Sequence, residues 1–216
     1  MIVYGRNAVH EAQHGRRRVL RVWERGQVSD AELERLCGSP DHQGIVAEVE
    51  PYPYDDAASL LAPDDALVVA LDQVQDPQNF GAICRSAEGA GATGVVIPAR
   101  GAVDVTPAVC RASAGAVEHL AIARVRNLAD YLAEAKRAGA WVYGAEAGAE
   151  AAHWEPDYRG KVAVVLGSEG RGLRPRVRTS CDRLVALPLR GRLESLNVAA
   201  TAAALLYEIV RQRTES

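Results

Sequence analysis

The polar residues best suited to chemistry lie in three loops, each of which follows a predicted strand. The first loop carries Asn79 and Arg85, the second carries Glu169 between glycines, and the third carries Ser195 and Asn197. Open parallel α/β sheets bind ligands at the carboxyl ends of their strands, so all three loops are candidates for a binding site. Their side chains can orient a polar ligand, and the backbone N–H groups at a helix start add further donors.

Each loop also has a plain structural interpretation, which the sequence alone leaves open. Asn79 is a candidate helix cap, with Arg85 on the surface of that helix. Residues 167–172 fit an ordinary strand-to-helix turn whose glycines permit positive φ. Ser195 is the predicted N-cap of the last helix, since its hydroxyl can accept an N–H of the first turn. Asn197 is then a second polar residue that one cap does not explain.

Hydrophobic periodicity predicts an α/β protein. From residue 66 onward, apolar strands alternate with helices, which is typical of a parallel sheet. The predicted strands cover residues 66–71, 94–98, 121–125, 141–145, 162–166 and 184–189. The predicted helices cover residues 79–91, 107–117, 128–138, 175–180 and 198–210.

The first 50 residues are expected to form a smaller α/β unit. Its predicted elements are a helical turn at 7–14, a strand at 18–23, a helix at 31–36 and a strand at 45–49. Ser29 followed by Glu32 is a capping signal for the second helix. Units below about 70 residues rarely have a self-sufficient core, so this one is expected to pack against a neighbour. Pro51 and Pro53 indicate a stiff linker after it.

Composition argues against several classes of protein. Hydrophobic residues make up 48% of the chain, which supports a globular core. No apolar run approaches the roughly 20 residues of a membrane-spanning helix. The first residues lack the apolar centre of a signal peptide, so a cytoplasmic location is expected. The four cysteines have no CxxC spacing and the five histidines no ligand spacing, so neither disulfides nor a metal site is predicted.

The formal net charge of −3 conceals two arginine-rich tracts. The first 25 residues hold six arginines against two glutamates, and residues 171–194 hold seven arginines against Asp182 and Glu194. The planar guanidinium fork suits phosphate recognition. A solvated arginine-rich surface is the alternative for either tract.

Together the three loops resemble the motifs of the SpoU (TrmH-like) family of S-adenosylmethionine-dependent RNA ribose 2′-O-methyltransferases. The first motif, N-x-G-x-x-x-R, matches Asn79, Gly81 and Arg85. The second motif, L-G-x-E-G-x-G, matches Leu166, Gly167, Glu169, Gly170 and Gly172. The third motif, P-x-x-G-x-x-x-S-L-N-V, matches Pro188, Gly191, Ser195, Leu196, Asn197 and Val198. All three occur in the family's order, and the resemblance spans about residues 66–213.

The N-terminal residues 5–9 and 42–47 resemble the substrate-binding extension of the RlmB branch of this family. That branch modifies a guanosine in large-subunit ribosomal RNA, and its extension is a ribosomal-protein-like α/β domain. Here the extension is shorter near residues 26–29. The resemblance implies a shortened RNA substrate-binding domain, a linker and a catalytic domain, over residues 1–50, 51–64 and 65–216.

The resemblance also implies a parallel-sheet SPOUT fold with a C-terminal trefoil knot, a homodimer, and S-adenosylmethionine as cofactor. The implied cofactor-binding residues are Leu166, Gly167, Leu187, Leu189, Ser195, Leu196 and Asn197. The implied catalytic residues are Asn79, Arg85, Glu169, Ser195 and Asn197. Arg85 is the family's proposed base for the 2′-hydroxyl. Because an arginine is effectively always protonated, a clamp on an RNA phosphate is the alternative role. The expected RNA contacts are Arg6, Arg16, Arg17, Arg18 and Arg171.

The leading function is therefore 2′-O-methylation of a guanosine in 23S ribosomal RNA. Methylation of transfer RNA is one alternative, since only the N-terminal resemblance favours ribosomal RNA. A non-catalytic RNA-binding or ribosome-assembly factor is another alternative. Such a protein would be free to lose the implied catalytic residues, which are all present here. A nucleotide-binding oxidoreductase is disfavoured, because no G-x-G-x-x-G follows the first strand of the large domain.

Overall fold

The computed structural model describes residues 1–215, which contain two β-sheets and seven α-helices. The smaller sheet lies at the N-terminus and is antiparallel, with the strand order β1-β3-β2. Its strands are β1 (Ile2–Tyr4), β2 (Val19–Glu24) and β3 (Ile45–Val49).

The larger sheet has seven strands, all parallel, in the order β6-β5-β4-β9-β7-β10-β8. Its strands are β4 (Leu67–Asp72), β5 (Gly94–Pro98), β6 (Ile122–Val125), β7 (Trp141–Ala145), β8 (Ala151–Ala152), β9 (Val162–Gly167) and β10 (Arg183–Ala186). The predicted parallel α/β sheet is confirmed, and all strand carboxyl ends lie at one edge.

The described residues contain seven α-helices. They are α1 (Arg6–His14), α2 (Asp30–Cys37), α3 (Pro77–Gly89), α4 (Pro107–Ala112), α5 (Leu128–Arg137), α6 (Pro175–Ser180) and α7 (Val198–Thr214). Of these, α2 packs on the smaller sheet and the others cover the two faces of the larger sheet. Successive residues of a strand point to opposite faces. Leu67 and Val69 of β4 accordingly join a core with α3, α4 and α7, while Val68 and Ala70 join a core with α5 and α6.

The N-terminal unit packs on the larger sheet's first core rather than forming one of its own. Val3, Val9 and Ala12 are buried in the same apolar cluster as Phe80 and Leu205. The prediction that this small unit packs against a neighbour is therefore confirmed. The predicted cap of its second helix is confirmed, since the Ser29 hydroxyl accepts the N–H of Glu32.

Several element boundaries and caps differ from the predictions. The strands β1 and β8 were not predicted; both are short, and short segments carry little periodicity. β10 ends at Ala186, before Pro188, which supplies no N–H to a strand ladder. The N-cap of α3 is Asp76 rather than Asn79, since the Asp76 carboxylate accepts the N–H of Gln78.

Within residues 1–215, no helix is both long enough and apolar enough to cross a membrane. In the same range, no cluster of three or more metal-ligating side chains occurs, and the cysteines are unpaired.

Candidate active site

A cleft of about 780 Å³ opens at the carboxyl ends of β7, β9 and β10. Three segments form most of its wall, namely residues 145–148, 166–172 and 185–198, with Thr201 of α7 beside them. The volume is within the range of sites that hold small organic ligands. The location agrees with the prediction that the loops after the strands build a ligand site.

The glycines of the second loop have specific backbone roles. A Cβ added to Gly167 would lie 2.3 Å from the carbonyl carbon of Gly172, so only glycine permits this close approach of the chain. The Gly172 N–H donates to the Ser168 carbonyl at 2.9 Å, which closes the loop. Gly170 and Gly172 have φ of 77° and 64°, values that favour glycine. At these glycines the loop therefore contributes backbone alone to the cleft wall.

A buried carboxylate braces the far end of the same loop. Asp72, at the end of β4, is completely buried and accepts the backbone N–H of Arg174 at 2.8 Å. The Nε of Arg174 donates to the other carboxylate oxygen at 2.7 Å. Sequence analysis did not single out Asp72, although its place directly after a buried strand was a usable signal. Its role here is to fix the chain that leaves the glycine loop.

Side chains from all three loops meet at one end of the cleft. The Asn197 Nδ2 donates to the Asn79 Oδ1 at 2.9 Å and lies 3.4 Å from the Glu169 Oε1. The Asn79 Nδ2 donates to the same Glu169 oxygen and to Asp76 at 3.2 Å. The cluster of Asn79, Glu169 and Asn197, here called the polar triad, thus joins residues that are 90 and 118 positions apart in sequence.

The cap of α7 is Asn197, and the prediction of Ser195 as the cap is wrong. The Asn197 Oδ1 accepts the N–H of Ala199 at 2.8 Å and that of Ala200 at 3.3 Å. Ser195 lies two residues before the cap, is exposed, and lines the cleft instead. A single amide therefore caps the helix with its oxygen and joins the triad with its nitrogen.

Arg85 does not join the triad within one chain. It follows Asn79 by six residues on α3, which places it about 9 Å further along the axis and about 120° around it. Arg85 is exposed and does not line the cleft. Among residues 1–215 its guanidinium has no hydrogen-bond or ion-pair partner, so it remains free to bind an external anion.

The residues that the resemblance assigned to the cofactor all line the cleft. They are Leu166, Gly167, Leu187, Leu189, Ser195, Leu196 and Asn197. Leu166 is buried at the cleft floor, whereas Leu189 and Leu196 are 38% and 45% exposed at the rim. The structure therefore offers an apolar surface on one side and the polar triad at one end.

The arginines predicted to contact RNA have different environments. Arg6, Arg18 and Arg171 are exposed, and Arg171 lines the cleft. Arg16 is exposed as well, but its guanidinium is paired with the Asp55 carboxylate at 2.6 and 2.8 Å.

Arg17 is buried, and its assignment as an RNA contact is wrong. Its side chain is 1% exposed, and the Nε donates to the Glu118 Oε2 at 2.9 Å. The Glu118 side chain is completely buried. This ion pair connects the N-terminal unit to the segment before β6, so the guanidinium is not available to a phosphate.

Glu146 is a cleft residue that the sequence analysis missed. It follows β7 directly, and its carboxylate accepts hydrogen bonds from the Arg178 Nε at 2.7 Å and Nη2 at 3.0 Å. These hydrogen bonds raise the pKa of Arg178 above its ordinary value. The position of Glu146 after a predicted strand was the available signal.

Comparison with known families matches two parts of the chain. Residues 66–207 match the SpoU rRNA Methylase family, and residues 26–55 match the RNA 2′-O ribose methyltransferase substrate-binding family. The first match alone covers more than half of the chain and contains the cleft, the glycine loop and the polar triad.

Similar proteins agree with this match. The 23S rRNA (guanosine-2′-O-)-methyltransferase RlmB of Xylella fastidiosa is 42% identical over 87% of this chain and 78% of its own length. An uncharacterised tRNA/rRNA methyltransferase of Synechocystis is 35% identical over 98% of this chain, which spans only 62% of that relative's length. The SpoU methyltransferase AviRb of Streptomyces viridochromogenes, solved in complex with AdoMet, is 28% identical with a TM-score of 0.85, over 100% of this chain and 91% of AviRb. The chain therefore belongs to the SpoU rRNA methylase family, a family of RNA methyltransferases.

Proposed function

We propose that the protein transfers a methyl group from S-adenosylmethionine to the ribose 2′-hydroxyl of a nucleotide in RNA. The main observation behind this proposal is the hydrogen bonding of the Glu169 carboxylate. Its Oε1 faces the amide nitrogens of Asn79 and Asn197. Within residues 1–215, its Oε2 has no hydrogen-bond partner, so this oxygen is left to accept a hydroxyl at the mouth of the cleft.

The cleft suits S-adenosylmethionine in size and chemistry. Its 780 Å³ hold a nucleoside with an amino-acid tail, and Gly167, Gly170 and Gly172 contribute backbone to its wall. The leucines of the wall suit the adenine ring and the thioether carbons. AviRb, a similar structure, was solved with AdoMet. When bound, the cofactor supplies an electrophilic methyl group on a positively charged sulfur.

The polar triad would then position the ribose. The two amides fix one oxygen of Glu169, and the other oxygen holds the target ribose through its hydroxyls. Alignment of a nucleophile with a reactive methyl accounts for a large share of rate in such transfers. Ser195, exposed at the cleft wall, contributes a hydroxyl to the same end of the site.

Arg85 would act on the RNA rather than on the cofactor. Its exposed guanidinium, which has no partner within residues 1–215, suits a phosphate next to the target ribose, where it orients the 2′-hydroxyl. Because Arg85 lies away from the triad of its own chain, we propose a homodimer in which two copies complete the RNA site.

We also propose the trefoil knot that the SPOUT resemblance implies for the C-terminal part of the chain.

We propose a guanosine of 23S ribosomal RNA as the substrate, in the cytoplasm. The RlmB relative at 42% identity supports this choice, as does the match of residues 26–55 to a substrate-binding family. In this proposal residues 1–50 bind RNA, residues 51–64 are a linker and residues 65–216 are catalytic. Transfer RNA is the second candidate, because the Synechocystis relative carries both substrates in its name.

Mapping of 2′-O-methyl groups in a deletion strain tests this proposal. Loss of one site in 23S ribosomal RNA, restored by the wild-type gene, is the expected result. Loss of a site in transfer RNA instead would favour the second candidate. Unchanged maps, together with no binding of S-adenosylmethionine in calorimetry, would favour a non-catalytic RNA-binding or assembly factor.

A further inference from the structure

Glu146 lines the cleft at the end of a different strand from those that precede Asn79 and Glu169 of the polar triad. Neighbouring strands in the order β4-β9-β7 are about 4.8 Å apart. Asn79 follows β4, Glu169 follows β9 and Glu146 follows β7. Glu146 therefore lies one strand from Glu169 and two strands from Asn79, so one ligand in the cleft can contact Glu146 and the polar triad together.

Apart from its partner Arg178, Glu146 lies in a part of the cleft wall that is apolar. Two described segments, residues 145–148 and 185–189, form this part of the wall. Among their lining residues, Glu146 is the only one with an ionisable side chain. Its neighbours there are Ala145, Ala147, Gly148, Val185, Ala186 and Leu187. A carboxylate that lines an apolar wall suits a ligand with hydrogen-bond donors at that point.

Arg178 holds the carboxylate in one orientation. Each oxygen accepts one hydrogen bond from the guanidinium, at 2.7 and 3.0 Å, and retains a further acceptor position. The backbone is fixed as well, since the Glu146 N–H donates to the Val185 carbonyl at 3.0 Å. The Glu146 side chain keeps 28% of its surface exposed, so the free acceptor positions are accessible.

We propose that Glu146 recognises the ribose diol of the bound cofactor, with Arg178 as its positioning residue. The inference rests on the proposed function, since it assumes a nucleoside ligand. Two adjacent hydroxyls match two carboxylate oxygens, and carboxylates near the carboxyl ends of parallel strands bind ribose hydroxyls in other α/β folds. Glu146 is thus a specificity residue for the nucleoside half, while the triad acts on the RNA ribose.

Calorimetry with S-adenosylhomocysteine on the full-length protein tests this role. Glu146→Gln is expected to weaken binding on the order of tenfold, because a buried ligand donor loses a charged acceptor. Glu155→Gln is the matched control: Glu155 is also paired with an arginine, Arg183 at 2.7 Å, but does not line the cleft. The control is expected to bind as the wild type does.

The contribution of the ribose diol to binding is measured with the 2′,3′-dideoxy analogue of S-adenosylhomocysteine. Removal of the diol is expected to weaken binding to the wild type about tenfold and to leave binding to Glu146→Gln nearly unchanged. Equal losses in both proteins would overturn the role of Glu146, and would instead favour a purely structural ion pair or a contact with the amino-acid tail. If Glu146→Gln proves unfolded by its melting temperature, Arg178→Lys serves as the second variant, with a smaller diol preference expected. Failure of S-adenosylhomocysteine to bind the wild type would contradict the proposed function itself, and this inference with it.

Discussion

The Asn197 Nδ2 lies 2.9 Å from the Asn79 Oδ1, while the Oδ1 of the same Asn197 caps α7. One side chain thus couples the start of the last helix to the helix that follows β4. Cap and site depend on different atoms of the amide, so substitution can separate them.

Asn197→Asp is predicted to keep the cap and lose the site. Asp is as good an N-cap as Asn, so the free energy of unfolding should change little, whereas Asn197→Ala should lower it by about 1 kcal/mol. An aspartate cannot donate to Asn79 and adds a second negative charge beside Glu169. Methyl transfer should therefore fall by about two orders of magnitude in both variants. Denaturant unfolding and single-turnover methylation measure the two effects. Normal methylation by Asn197→Asp would refute the coupling.

Arg85→Ala is predicted to abolish methyl transfer and to leave cofactor binding intact. The guanidinium is exposed outside the cleft, so its removal affects only the RNA side of the reaction. Calorimetry with S-adenosylmethionine and a methylation assay give the two readouts. Arg137→Ala, which removes another exposed helical arginine, is the control and should retain activity. Comparable turnover in Arg85→Ala would eliminate both the phosphate clamp and the base.

The succession of strands and helices along residues 66–210 was predictable from sequence, because the strands of the larger sheet are buried on both faces and the helices are amphipathic. The caps were less predictable. Asp76, Asn79, Ser195 and Asn197 all have side chains that can cap a helix, and the choice among them depends on contacts 90 or more residues away. Glycine positions were recognisable as a motif, but the reason for Gly167, its contact with Gly172, required the folded loop.

Burial was the second limit of the sequence analysis. Three consecutive arginines, Arg16 to Arg18, look equivalent in sequence. Arg16 is nevertheless paired at the surface, Arg17 is buried, and Arg18 is exposed with no side-chain partner among residues 1–215. The buried partner, Glu118, is 101 residues away, so no local pattern could have identified it.

Arg17→Ala is predicted to lower the free energy of unfolding by about 3–5 kcal/mol, because it leaves the Glu118 carboxylate buried without its partner. The double variant Arg17→Met/Glu118→Leu should recover most of this loss, since both charges are removed together. Denaturant unfolding of the three proteins checks the prediction. If Arg17→Ala had the same free energy of unfolding as the wild type, the ion pair would not stabilise the packing of the N-terminal unit.

Arg18→Ala and Arg171→Ala are each predicted to reduce the slope of log affinity for RNA against log salt by about one, since each removes one phosphate contact. Arg159→Ala is the control: its guanidinium is paired with Asp157 at 2.5 Å and should not change the slope. RNA binding at several salt concentrations gives the measurement. Slopes identical to the wild type's would remove these arginines from the RNA surface.

Thiol reactivity is predicted to distinguish Cys37 from the other cysteines. Burial raises the pKa of Cys110 to about 11 and that of Cys181 to about 12, and it also raises the pKa of the buried Cys84. At pH 8 these thiols stay protonated and unreactive, whereas Cys37 is partly exposed. A thiol-specific reagent should therefore label one cysteine in the native protein and four after unfolding. Rapid native labelling of Cys110, identified by peptide mass, would contradict the packing of α4.

In the proposed reaction, the cleft binds the methyl donor and the polar triad positions the ribose 2′-hydroxyl that is methylated. The most direct measurement incubates the purified protein with methyl-labelled S-adenosylmethionine and unmodified 23S ribosomal RNA, then identifies the labelled nucleoside by mass spectrometry after digestion. The expected result is label in a single 2′-O-methylguanosine. Label on a base, or no label in ribosomal or transfer RNA while the protein binds S-adenosylmethionine, would contradict it.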